Sequence, residues 1–68
     1  MKDLFRKANA VMLGTGFAPY TINIYSDHVY LQGKFNPDVV RKLKKWEMTK
    51  DDNGYIHFIK SNVKIIMT

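Results

Sequence analysis

The chain contains no cysteine, which removes disulfides, a thiolate nucleophile and cysteine-based zinc sites from the ways it can be stabilised or can act. Proline occurs only at Pro19 and Pro37 and glycine at four positions, and no repeat or low-complexity stretch interrupts the chain. No run approaches the roughly 20 apolar residues needed to span a bilayer, and residues 1–7 lack the apolar centre of a secretory signal. The expectation is a soluble cytoplasmic protein with no membrane association. Acidic residues are few, six against eleven lysines and arginines, for a net charge of +5.

Reactive groups are also scarce. His28 and His57 are the only imidazoles available as an acid or base, and neither has a serine or carboxylate at a telling spacing. No catalytic residue is assigned, and the chain reads as a non-enzymatic binding module. Among enzymes, a metal-independent ribonuclease using His57 with Lys64 and Tyr55 is the least unsupported alternative. Gly14-Thr15-Gly16 lacks the third glycine of a dinucleotide fingerprint and follows a helix where the fingerprint follows a strand. Aligning Asn53-Gly54 with a calcium loop places Thr49 and Lys60 where acidic ligands belong, so no metal or other cofactor is implied.

Sixty-eight residues make one domain, and a chain this size buries only about 60% of its unfolded surface. Residues 36–46 are the segment with the clearest local signals. Asn36 can cap a helix, Pro37 suits its first position, and Asp38 complements the positive end of the helix dipole. Val39, Val40, Leu43 and Trp46 share one arc, and Arg41, Lys42, Lys44 and Lys45 cover the rest. An earlier helix is expected with Asp3 as its N-cap, Leu4, Phe5, Ala8, Val11 and Met12 on its apolar face, and Gly14 closing it in the left-handed conformation.

Between these helices, residues 20–25 and 29–35 alternate as strands. A turn at Ser26-Asp27 sets Ile24 opposite Val29 and Ile22 opposite Leu31, with Tyr20 and Phe35 on the same inner side. After the second helix, a three-residue loop Asp52-Asn53-Gly54 places Met48 opposite Phe58. A turn at Ser61-Asn62 then pairs Phe58 with Ile65 and Ile56 with Met67. The expected fold is α+β, in the order α-β-β-α-β-β-β. One small antiparallel or mixed sheet, a β-hairpin plus a three-stranded meander, carries both helices on one face. Periodicity does not say beside which hairpin strand the meander docks.

Two surfaces follow. Residues 34–50 hold six cations (Lys34, Arg41, Lys42, Lys44, Lys45, Lys50) against Asp38 and Glu47, net +4, while residues 1–33 carry +1 and residues 51–68 are neutral. On the sheet face opposite the helices, Tyr25, Tyr30, Tyr55 and His57 are the ingredients of a base-stacking platform, although tyrosine is also an ordinary strand residue. Nucleic-acid binding through the basic helix and the aromatic face is the leading expectation. The alternative is a protein-interaction module, an inhibitor, regulator or homodimer, that meets an acidic protein surface or pairs through Ile59, Lys64 and Ile66. In that reading residues 63–68 form an edge strand.

Overall fold

The computed structural model describes residues 2–68. Its elements are α1 (Lys2–Thr15), β1 (Thr21–Ile24), β2 (Val29–Gly33), α2 (Pro37–Lys42), β3 (Glu47–Lys50), β4 (Ile56–Lys60) and β5 (Val63–Met67). The order is the one expected from periodicity, and the five strands form one mixed sheet, β1-β2-β5-β4-β3. The meander docks through β5, which runs parallel to β2 with Val29 opposite Val63 and Leu31 opposite Ile65. Every other pairing is antiparallel.

Both hairpin registers follow from the period of two. Ile22 and Ile24 face Leu31 and Val29, Met48 faces Phe58, and Ile65 and Met67 face Phe58 and Ile56. The core is the layer between this sheet face and the helices. Val29, Leu31, Phe58, Val63, Ile65 and Met67 come from the strands, Ala8 and Val39 from the helices, Phe17 from the loop after α1 and Leu43 from the residue that follows α2. Each large side chain so buried contributes about 1.5–3 kcal/mol.

The structure corrects several sequence expectations. Residues 63–68 are not an edge: β5 lies between β2 and β4, so its backbone groups are paired on both sides. An extended pairing between distant segments is invisible to local pattern, and it leaves β1 and β3 as the edges. The second helix spans only Pro37–Lys42. Beyond it the Leu43 and Trp46 amides donate to the Val40 and Leu43 carbonyls at 3.0 Å. These tight i−3 bonds turn the chain into β3 while keeping Leu43 inside and Trp46 partly covered.

In α1, Asp3 lies within the first turn rather than at the cap. Gly16, at φ 77°, takes the left-handed position expected of Gly14, and its N–H donates to the Met12 carbonyl at 2.9 Å. Phe5 stays exposed on the flank of the helix. Phe35 is exposed because β2 ends at Gly33, over which the Phe17 ring takes the inner position. Met48 has the expected partner but is also exposed, since the helices do not reach across to β3.

Candidate nucleic-acid interface

Local capping sets the position of the cationic segment. The Asn36 side-chain oxygen accepts hydrogen bonds from the Asp38 and Val39 amides at 3.0 and 3.4 Å, which starts α2 and turns Val39 inward. Arg41, Lys42, Lys44 and Lys45 are exposed as a consequence. Arg41 is paired with Asp38 one turn earlier, and it is the only lysine or arginine in an ion pair among the described residues. Lys50 shares the inner parity of Ile56 and Met67, so it belongs to the helix side of the sheet. Lys34 is exposed just after β2.

Sequence reasoning missed a cleft on this same side. It has a volume of about 270 Å³ and is lined by Lys7, Ala10, Val11, Trp46, Lys60, Ser61 and Val63. Trp46 packs partly against the core, leaving part of its indole at the wall of the cleft. Lys7 is held there by a hydrogen bond from its ammonium group to the Asn62 side-chain oxygen, 3.2 Å away. Lys44 and Lys45 immediately precede Trp46. Lys7 and Lys60 lie in stretches of low local charge, so only the packing of α1 against the β4–β5 turn adds them to the basic region.

The opposite face carries no helix. Two cross-strand rows follow from the register. Thr21, Gln32, Ile66, His57 and Thr49 form one row. Asn23, Tyr30, Lys64, Ile59 and Glu47 form the other. At one corner the Tyr25 and His28 rings stack at 4.4 Å, with Tyr30 edge-on to Tyr25 at 5.2 Å. The Lys64 ammonium lies 5.1 Å from the Tyr30 ring centre. Tyr55 is exposed at the far corner. His28 was not among the expected binding residues, yet it joins the two tyrosines.

His57 is tied into the scaffold. Its Nε2 lies 2.8 Å from the Asp51 carboxylate, whose other oxygen accepts the Asn53 and Tyr55 amides at 2.9 and 3.0 Å. The hydrogen bond with His57, helped by those amides and opposed by partial burial, holds the Asp51 carboxyl below its ordinary range. Asp51 therefore staples the β3–β4 loop, in which Gly54 at φ 85° supplies the left-handed residue.

The expected site residues thus divide between two surfaces. Arg41, Lys42, Lys44, Lys45 and Lys50 belong to the helix side and Lys34 lies just beyond the end of β2, whereas Tyr25, Tyr30, Tyr55, His57, Ile59, Lys64 and Ile66 belong to the other face or its corners. Lys64 is the only lysine or arginine in the two outer rows, against Glu47, so the aromatic face does not share the cationic field. No helix among the described residues is long and apolar enough to cross a membrane. Compared with protein-family models, with curated proteins and with solved structures, the chain matches none.

Proposed function

We propose that this protein binds single-stranded nucleic acid on its helix side, with the strand crossing the Trp46 cleft. The observation that carries this reading is the cleft itself: a partly exposed indole in a wall shared with Lys7 and Lys60, with Lys44 and Lys45 directly before Trp46 in the chain. Ammonium groups around an aromatic surface match the needs of a strand whose phosphates seek cations and whose bases seek a ring to stack on. The lysines here have no carboxylate partner among the described residues, so their charge is available to phosphate.

Trp46 is the single tryptophan, so its fluorescence reports the event directly. Titration with single-stranded DNA and RNA is expected to quench the emission, with an affinity that falls as salt rises. Replacing Lys7 and Lys60 with glutamine should lower the slope of log K against log salt by about 1.4, because each phosphate neutralised on a single strand contributes about 0.7. Absence of binding at low salt to every oligonucleotide tried sinks the proposal. A slope unchanged in the double variant removes the cleft from it.

A second reading rests on the uncovered sheet face, where Tyr30, Ile59 and Ile66 are only half-buried. An apolar centre with a weak field suits a protein partner better than a phosphate chain. In this reading Ile66→Lys abolishes capture of that partner and leaves oligonucleotide binding unchanged.

A further inference from the structure

The two edges of the sheet differ in a way that bears on self-association. β3 opens on Glu47 and closes on Lys50, charges that discourage pairing with another strand. The β1 edge, Thr21-Ile22-Asn23-Ile24, has no charge or proline along it and is flanked by Tyr20 and Tyr25. Its start is irregular, since the Tyr20 N–H donates to the carbonyl of Gln32, the partner of Thr21, at 2.9 Å, but Ile22–Ile24 are in regular register. Its hydrogen-bonding parity follows from its neighbours. The Tyr25 N–H donates to the His28 carbonyl at 2.8 Å, while the Val29 N–H turns away to the Asn62 carbonyl at 2.9 Å. Antiparallel ladders alternate, so the N–H and C=O groups of Ile22 and Ile24 point outward from the sheet.

These two residues also keep exposed side chains, 43% for Ile22 and 37% for Ile24. α1 packs on β2 and β5 and leaves the helix-side surface of β1 open. Lys7 and Ala10 border the Trp46 cleft, and Trp46 precedes the opposite edge. At 100° per residue Phe5 therefore falls on the β1 flank of α1, where it is 59% exposed.

We infer that β1 pairs with β1 of a second copy, antiparallel about a two-fold axis through Asn23, to make a continuous ten-stranded sheet. In this register Ile22 lies opposite the partner's Ile24, and Ile24 opposite the partner's Ile22. Both are hydrogen-bonded pairs, so the outward N–H and C=O groups of the two residues form four bonds across the axis. All four isoleucines lie on the helix side, and Asn23 faces its own copy on the outer side. The strand is thus complementary to itself in backbone parity and in side-chain face, as an isologous contact requires.

Charge favours a second copy over an unrelated chain. Residues 1–33 carry only +1, whereas residues 34–50 carry +4. Pairing at β1 keeps Lys50 and the Lys44-Lys45 segment leading into β3 away from their copies, with only Lys34 near the joined edge, while pairing at β3 would bring those cations together. A partner selected by opposite charge would be drawn to residues 34–50 instead. Pairing at β1 is independent of nucleic-acid binding at the Trp46 cleft.

Sedimentation equilibrium over a concentration series, with amide hydrogen exchange by NMR on the same samples, tests the pairing. The expected result is a dimer in which the Ile22 and Ile24 amides gain protection as concentration rises. By the same parity argument, taken from the Asp51–Tyr55 bond of the β3–β4 hairpin, the Met48 and Lys50 amides face outward from β3 and stay unprotected. Ile24→Lys should return the protein to a monomer with an unchanged far-ultraviolet spectrum. A wild-type protein that stays monomeric overturns the inference, as does protection at Met48 and Lys50 in place of Ile22 and Ile24. Should Ile24→Lys alter the fold, the wild-type exchange pattern alone decides.

Discussion

The Phe17 ring lies over Gly33 so closely that a methyl group on the Gly33 Cα would stand 2.8 Å from the ring's Cζ and 3.2 Å from the Pro19 Cα. The glycine is therefore a slot in β2 that receives the loop leaving α1. Gly33→Ala forces the ring or the backbone of the loop to move, and it should cost about 1–3 kcal/mol in urea unfolding. Phe17→Leu in the Gly33→Ala background should recover part of that loss. An alanine variant as stable as the parent would show that the slot is loose.

Asn36 is the structural cap of α2, with two amides of the first turn on its side-chain oxygen. Asn36→Ala should lose about 1 kcal/mol and Asn36→Asp only a small part of it. Equal losses in the two variants would mean that Asn36 acts through packing rather than through its oxygen. Chemical denaturation of the three proteins measures the difference.

The Asp51 carboxyl is lowered from 3.8, first by its hydrogen bond with His57. A depressed folded-state value means that the unfolded chain binds the proton more readily. The contribution is thus complete above the unfolded value and is lost as pH falls through the folded one. The stability advantage of the wild type over Asp51→Asn should accordingly shrink as pH is taken below 3.8. Urea midpoints of both proteins from neutral pH into acid test this, and a constant difference would break the link to ionisation.

Ser61, at φ 57°, is the only non-glycine in the left-handed region among the described residues. It occupies the first position of the two-residue turn between β4 and β5, where glycine avoids the clash of Cβ with the carbonyl. Ser61→Gly should gain about 0.5–1 kcal/mol after the larger entropy loss of glycine is set against the relief. That corresponds to a rise in Tm of about 2–8 °C for a domain of this size. A fall in Tm would show that the serine side chain makes a contact worth more than the strain.

Much of the fold was legible from local pattern. Ile22–Leu31, Met48–Phe58 and Phe58–Ile65 were readable because a one-residue slip would turn each strand's apolar set to the wrong face. The cap at Asn36 was readable because its chemistry is local. The parallel pairing of β2 with β5 was not, since both strands alternate equally well against any apolar neighbour. The length of α2 escaped because Leu43 and Trp46 continue the helical spacing even where the backbone has tightened into i−3 turns. At the candidate site, counting charges found Lys42, Lys44 and Lys45. Lys7 and Lys60 belong beside Trp46 only through tertiary packing, and the separation of cations from tyrosines depends on which side of the sheet each occupies.

The β2–β5 ladder joins residues 34 positions apart, as with Val29 and Val63, whereas the β1–β2 and β3–β4–β5 segments are closed by short turns. The two hairpin units can each form over local distances, and this ladder alone unites them into one sheet. The entropy of closing that long loop must be met before the ladder's interactions offset it. The slow step of folding should therefore be the docking of β5 on β2. Small truncations there, such as Ile65→Val, should slow folding, while equivalent changes on β1 or β3 should mainly speed unfolding.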